Sequence, residues 1–335
     1  MRILIDIVHM ADVNFYKNAV QILKKQGHEF IFSVMKRNNL PEFVKKELGS
    51  AFVVGIHVKG NLLRKAYFNL KRILQLRKLI KNIKPDAVTS FSYYPAAAVF
   101  GKNIPSIIFH DDAEYKMQFM LCKLFAKRLI IPDFIKSNGK NIKKYHSYKE
   151  WAYLNPKYFK PKTSILKKYK LKKYNYVFIR EVAPVSLNYA KKSNIDYPKI
   201  ISLLKKKKLK VVVSLEDWSR DNEFKGAIIL KEPVSDFYSI IYYSLALISS
   251  GDTMAREAAL LGAPSFYKGN REMIVNKELV RRKILTIAND ENALTDYLKK
   301  ISVEGKHLFN RKIKYYARNL DDTTRIIVNE LTKNE

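Results

Sequence analysis

A single cysteine, Cys122, stands in a chain of 335 residues. One thiol can build neither a disulfide framework nor a cysteine zinc cluster. Long apolar runs are missing too. Lys or Arg interrupts the best candidates every few residues, so none approaches the ~20 residues of a bilayer-spanning helix. The opening stretch, Met1 to Val8, is broken by Asp6 and lacks the apolar length and small-residue cleavage site of a signal peptide. These absences predict an intracellular, cytoplasmic protein. Acidic residues are scarce: 31 Asp and Glu face 63 Lys and Arg, a formal net charge of +32. The excess has two readings, attraction to an anionic partner or the Lys-rich usage that AT-rich codons or thermophily produce. No helix-turn-helix, zinc-finger, RNP or KH signature is present, so no specific nucleic-acid partner is expected.

What the chain does have is apolar residues, 47% of the total, and enough length for two domains. Residues 2–8 form a continuous apolar run of the kind buried parallel strands show. A helix follows over about 14–26, ending at Gly27, and a second strand at about 29–34 completes a βαβ unit. Further strands are predicted at 51–56, 87–91, 105–109 and 128–131, with helices over 62–83 and 113–127. Residues 136–174 are rich in Lys, Asn, Tyr and Pro and read as an inter-domain connection, within which Tyr148–Pro156 reads as linker and packing. Strands resume at 176–179, 209–214, 227–230, 245–248 and 264–266, and a last helix spans 307–332. Alternation of this kind predicts doubly wound parallel sheets. Two such halves in tandem are the signature of a GT-B architecture: an α/β fold of two Rossmann-like domains whose parallel sheets face a central cleft. The expected domains are 1–150, for an acceptor, and 151–335, for a nucleotide-sugar donor, with the last helix crossing back to the first.

The segment with most chemistry is Ile248 to Pro264. A strand runs into Ser249-Ser250-Gly251, and a helix begins near Thr253. A glycine there lets backbone approach a ligand, and the helix N-terminus offers free N–H groups to a pyrophosphate. Ser250 and Thr253 can add hydroxyl donors. Glu257 lies one turn beyond Thr253 on the same face, where a carboxylate can accept ribose hydroxyls. The alternative is an ordinary helix cap by Asp252 or Thr253 with Glu257 in solvent.

This segment resembles the donor loop of MurG-like glycosyltransferases and of non-hydrolysing UDP-N-acetylglucosamine 2-epimerases. More closely, the chain resembles the prokaryotic family called domain of unknown function 354. The resemblance rests on Ile5-Asp6-Ile7-Val8-His9 with Val13 and Phe15-Tyr16-Lys17, on Asp111-Asp112-Ala113-Glu114, on Tyr148 through Pro156, and on Gly251 through Ala258. Together these span most of the chain in the expected order and imply a GT-B-like fold. The family pattern has His-Pro-Ala-His-Val-His after its first strand, where this chain has His9-Met10-Ala11-Asp12-Val13-Asn14. It also has Trp and a His-Asp pair after the arginine of its second domain, where Arg180 here is followed by Glu181 through Tyr189.

Three further places carry candidate chemistry. His9 follows the first strand, where a histidine can act as general base or hold a phosphate, and Asp12 can orient it or be the base itself. Both could equally cap the first helix. Asp111 and Asp112 are adjacent carboxylates that can shift each other's pKa and supply a base or bind substrate; alternatively they could bind a divalent ion, although two ligands do not make a metal site, or Asp112 can cap a helix. Arg180 can meet the diphosphate of a leaving UDP, or pair with Glu181. Residues 59–84 hold nine Lys or Arg and no acid. With Met117 to Phe125 they suggest peripheral contact with an anionic membrane, or buried helices with a solvated Lys face.

The expected activity is a glycosyltransferase using a nucleotide-diphosphate sugar, UDP favoured, with His9, Asp12 or Asp111 deprotonating an unknown acceptor. Arg180, Ser249, Ser250, Gly251, Asp252, Thr253, Glu257 and Asp112 would bind substrate. No metal ligand set and no cofactor beyond the nucleotide-sugar substrate are expected. The alternatives are a nucleotide-sugar 2-epimerase and a non-catalytic protein bound to an anionic surface or nucleic acid.

Overall fold

The computed structural model describes residues 1–182, 195–230, 234, 236–269, 271–287 and 290–333. It divides into two compact units: Met1–Tyr158 together with the segment from Asp321 onward, and Phe159–Leu320.

The first unit alternates strand and helix. In order these are β1 (Arg2–Ile7), α1 (Met10–Lys25), β2 (Glu29–Lys36), α2 (Leu40–Glu47), β3 (Ala51–Ile56) and α3 (Leu62–Ile83). There follow β4 (Ala87–Ser90), α4 (Tyr94–Val99), β5 (Ser106–Phe109), α5 (Lys116–Phe125), β6 (Arg128–Pro132), β7 (Ile142–Tyr145) and α6 (Trp151–Leu154). The seven strands form one parallel sheet in the order β3-β2-β1-β4-β5-β6-β7. Continuous apolar strands form because both faces are covered by helices, as all-parallel sheets demand. On one face α3 and α4 seal Leu4, Val54 and Val88 with Leu76, Ile80 and Val99. Cys122 of α5 joins Ile108, Leu129 and Ile131 further along that face.

The second unit contains α7 (Ser164–Lys168), β8 (Tyr176–Glu181), α8 (Tyr197–Lys206), β9 (Lys210–Leu215), β10 (Ile228–Ile229), α9 (Phe237–Tyr242) and β11 (Ala246–Ser249). It continues with α10 (Asp252–Leu260), β12 (Ser265–Tyr267), α11 (Ile274–Arg281), β13 (Leu285–Ile287), α12 (Glu291–Lys300) and α13 (Val303–Ala317). Its described strands run β10-β9-β8-β11-β12-β13, all parallel. Val177, Ile179, Val211, Val213 and Ile248 build its core against Ile200, Leu204, Leu294 and Leu298. The last helix, α14 (Thr323–Thr332), belongs to the first unit and packs on α1 and α6.

Two parallel-sheet Rossmann-like domains are therefore present, as the alternation implied. Several boundaries differ. The first helix begins at Met10 rather than 14, because Asp12 sits at its third position and its carboxylate accepts the N–H of His9 at 2.9 Å. Residues 136–174 are not all connection: Ile142–Tyr145 is the sheet's seventh strand, and the units divide at Tyr158 and Phe159. Tyr148, Trp151, Ala152, Tyr153 and Leu154 are buried, so that stretch is core. The single helix expected over 307–332 is two, α13 and α14. The second is started by Asp322, whose side chain accepts the N–H of Arg325 at 3.0 Å. The helix expected over 113–127 spans only Lys116–Phe125, so Asp112 does not cap it.

Candidate functional site

In an open parallel sheet the strand order reverses at a switch point, and ligands bind beyond the carboxyl ends of the strands there. That point lies between β1 and β4 in the first unit and between β8 and β11 in the second. His9 and Asp12 follow β1, and His110, Asp111 and Asp112 follow β5, the neighbour of β4. Arg180 is the penultimate residue of β8, Ser249 ends β11, and Ser250 and Gly251 lead into α10.

In the first unit the focus is Asp12. Its carboxyl group is buried, and Oδ2 accepts the backbone N–H groups of Val8 and His9 at 3.0 and 2.9 Å. Oδ1 is therefore the oxygen that takes a proton. Burial pushes its pKa up to about 7, against the opposing pull of those N–H groups and of Lys149, while Asp111 raises it further. Asp111 is itself buried, with Lys149 Nζ 3.0 Å from Oδ2 and 5.4 Å from the centre of the Phe91 ring. Asp12, Asp111 and Lys149 thus form one electrostatic group. In sequence Lys149 reads only as part of the Tyr148–Pro156 packing stretch, with no signal of this pairing.

His9 plays a different part. Its ring is exposed, and Nδ1 lies 2.9 Å from Nη1 of Arg37. A guanidinium only donates, so Nδ1 accepts and the proton of the neutral ring rests on Nε2. That arrangement suits donation to an anion better than abstraction of a proton. Asp112 is half-buried in a turn, its carbonyl near His110 Nε2 at 3.2 Å and accepting the N–H of Tyr115 at 3.2 Å.

In the second unit Arg180 donates from Nη1 to Ser214 Oγ and from Nη2 to Glu216 Oε1, the latter at 2.7 Å. The expected alternative, pairing with Glu181, fails because neighbouring residues on a strand point to opposite faces. Glu181 faces Lys268, Tyr197 and Arg220 instead: Lys268 Nζ lies 2.8 Å from Oε1, Arg220 Nη1 3.1 Å from Oε2, and the Tyr197 hydroxyl donates to Oε1. Burial lowers the Lys268 pKa, and Glu181 opposes that shift.

The Ser249-Ser250-Gly251 turn is held by its own hydroxyls. Ser249 Oγ accepts the Gly251 N–H at 3.0 Å and donates to the Gly251 carbonyl at 2.7 Å. Ser250 Oγ accepts the Val182 N–H at 2.8 Å. Both side chains shape the loop in this structure. Gly251 has an ordinary extended backbone, with φ −95°, and a Cβ there would come 2.9 Å from Val182 Cγ1. Close packing of Val182, rather than a left-handed turn, accounts for the glycine. Residues 183–189, where the chain departs from the family pattern, lie outside the described residues.

Asp252 opens α10, buried, and is shared by two arginines: Arg256 Nη1 at 3.3 Å and Arg271 Nη1 at 3.1 Å from Oδ2. Arg256 also reaches Asn276 Oδ1 at 3.2 Å and Thr253 Oγ1 at 3.3 Å. Two guanidinium groups thus meet one carboxylate at a helix N-terminus, where Asp252 Oδ1 also accepts the Thr253 N–H at 2.9 Å, the cap that the sequence offered as the alternative. Arg256 and Arg271 were not among the expected site residues, because their convergence depends on the turn after β12. Glu257 is buried one turn into α10, and its Oε1 accepts the Tyr238 hydroxyl at 2.8 Å.

Known proteins share this architecture. Over 99% of this chain and 100% of the other, it is similar to the UDP-GlcNAc 2-epimerase of Neisseria meningitidis bound to UDP-GlcNAc, with a TM-score of 0.71 at 13% identity. Similarity to MurG of Acinetobacter baumannii covers 99% of each chain, with a TM-score of 0.65 at 13% identity. Both likenesses are of fold. In sequence, an uncharacterised protein of Methanocaldococcus jannaschii is 28% identical over 309 residues, 88% of this chain and 89% of that protein. Residues 1–334 match the family described as "Protein of unknown function (DUF354)", and the chain belongs to that family.

Proposed function

We propose that this protein is a glycosyltransferase of the GT-B type that uses a UDP-sugar donor and a hydroxyl acceptor. The observation that carries the reading is Asp12, a buried carboxyl group at the β1 end of the switch point with a pKa near neutrality. A base poised there is half deprotonated at pH 7, the condition that favours general-base catalysis. Asp12 takes the proton of the acceptor hydroxyl. The acceptor oxygen then bonds to the anomeric carbon as the bond from that carbon to the β-phosphate oxygen breaks, and UDP leaves with the electron pair. The positive end of α10, with Arg256 and Arg271, offers charge to the diphosphate, and Glu257 offers a carboxylate to the ribose. Arg180 stands at the neighbouring strand end for the same phosphate. The epimerase of the same fold solved with UDP-GlcNAc bound supports the choice of nucleotide.

One observation favours a second reading. Lys149 and Asp111 beside Asp12 set a proton donor and acceptors together, which a 2-epimerase acting on the donor sugar alone would require.

The test is thermal stabilisation by UDP, GDP, CMP and UDP-N-acetylglucosamine, followed by product analysis without acceptor. A ligand at about 100 times its Kd adds about 2.7 kcal/mol to native stability. The expected result is a shift with UDP and its sugar that Glu257→Ala abolishes. A change of sugar configuration without acceptor selects the epimerase, and no shift with any nucleotide removes both readings.

A further inference from the structure

Helix α3 of the first unit is apolar on two sides. One side is buried, through Leu76 and Ile80, which close the sheet. On the roughly opposite side Leu63, Tyr67, Leu70 and Leu74 recur at helical spacing and are 55–81% exposed. An ordinary surface helix carries polar residues there. Helix α5 repeats the pattern, with Met117, Met120 and Leu124 in a row and 59–62% exposed. The two helices lie on the same face of the sheet. Leu4, Val88 and Ile108 share one side by the strand register, and α3, α4 and α5 cover them in turn.

Around these apolar rows the charge is of one sign. Residues 59–84 contain nine Lys or Arg and no acid, and residues 115–132 contain four and no acid. Arg64, Lys71 and Lys78 border the α3 row, and Lys116 and Lys123 border that of α5. A second copy of the chain is a poor occupant, because apposed α3 faces would bring like charges together with no carboxylate on the helix to pair them. A nucleic-acid backbone would meet the cations but leave the apolar side chains uncovered. No helix among the described residues is long and apolar enough to cross a membrane, so the face could only lie on one.

From this juxtaposition we propose that the outer face of α3 and α5 docks on an anionic phospholipid bilayer, with Leu63, Tyr67, Leu70, Leu74 and the α5 row entering the headgroup boundary while the lysines contact acidic headgroups. The physics is that of interfacial amphipathic helices, in which apolar insertion and electrostatic attraction add. The inference is independent of the nucleotide-sugar reading, since it uses none of the switch-point residues.

The experiment is flotation of the full chain with phosphatidylcholine vesicles, with and without phosphatidylglycerol, at low and high salt. Binding is expected only with phosphatidylglycerol and is weakened by salt. Neutralising Lys71→Gln and Lys78→Gln lowers it about fivefold per charge. Leu63→Ser with Leu70→Ser and Met120→Ser lowers it by at least about tenfold, with the circular dichroism spectrum and Tm unchanged because these side chains support no core. Absence of vesicle binding, or binding unaffected by the serine variant, overturns the proposal. So does sedimentation showing a dimer that the serine variant dissociates without vesicle binding by the parent. Duplex DNA binding of equal strength that the lysine variant alone weakens would overturn it as well.

Discussion

Arg72 and Asp6 meet in a fully buried, two-point ion pair, with Nη1 3.0 Å from Oδ2 and Nη2 2.7 Å from Oδ1. Ser33 Oγ donates to Oδ1 at 2.7 Å, Arg72 Nε donates to the Val54 carbonyl at 3.0 Å, and the guanidinium lies 4.5 Å from the centre of the Tyr94 ring. Gly55 makes room for the arginine stem. Its φ is +72°, and a Cβ there would fall 2.6 Å from Arg72 Cγ. The pair ties α3 to β1 and β3, and so holds the helix whose outer face is exposed.

Arg72→Met should therefore leave the Asp6 carboxylate buried and unpaired, and cost about 3–5 kcal/mol. Gly55→Ala should destabilise in the same direction, through left-handed strain and displacement of the arginine. Urea unfolding of the first unit measures both. A loss below about 1 kcal/mol for Arg72→Met would mean that the pair contributes little.

Asp12→Asn keeps the acceptor for the Val8 and His9 N–H groups but removes the base. Turnover should fall about 10²–10⁴-fold. In the parent, activity should decline as pH drops through about 7, where the carboxyl becomes protonated. Stability makes an independent check. The folded pKa lies above the unfolded value of 3.8, so the contribution of this group is complete below about pH 4 and is lost as pH rises through 7. The asparagine variant should gain on the parent across that window, by up to about 4 kcal/mol. A Tm difference independent of pH would refute the assignment.

Lys306 is buried on α13, and its ammonium donates to the Gly262 carbonyl at 2.6 Å, just past the end of α10. Burial lowers its pKa to about 7. Here the sign reverses. A depressed folded value gives stability that is present above about pH 10 and lost as pH falls toward 7. Lys306→Met should flatten the rise in Tm between pH 7 and 10. Equal slopes for parent and variant would show that the lysine stays charged throughout.

Cys122 lies in the core of the first unit, with its thiol pushed up to about 12 by burial. At pH 8 it should resist iodoacetamide in the native state and react at the rate of unfolding. Rapid labelling of native protein would place it outside the core.

Much of the fold was legible along the chain. The strands at 2–8 and 51–56 and the helix over 62–83 stand out because apolar spacing and turn residues agree there. Strand β7 has no sequence signature, since Ile142-Lys143-Lys144-Tyr145 is half lysine and becomes a strand by pairing with β6. Strand β13 has three residues, too few for a pattern. The break before α14 carries neither Gly nor Pro, only the Asp322 cap. Among site residues, Asp12 and Asp111 could be named from their positions after strands. The partners of Arg180 could not, because Ser214 lies in the next strand in space and Glu216 just beyond its end.

By itself, then, the sequence determined the α/β class, the two tandem halves, the places where strands end in polar residues, and a basic chain with one thiol. These properties are local: hydrophobic period, turn chemistry and composition act over a few residues. Tertiary structure alone decided that Asp12 titrates near neutrality beside Lys149 and Asp111, that Arg256 and Arg271 converge on Asp252, and that Leu63, Leu70 and Leu74 of α3 face outward while Leu76 faces the sheet. Each depends on which distant segments exclude water from a group or leave it exposed, and packing in three dimensions settles that.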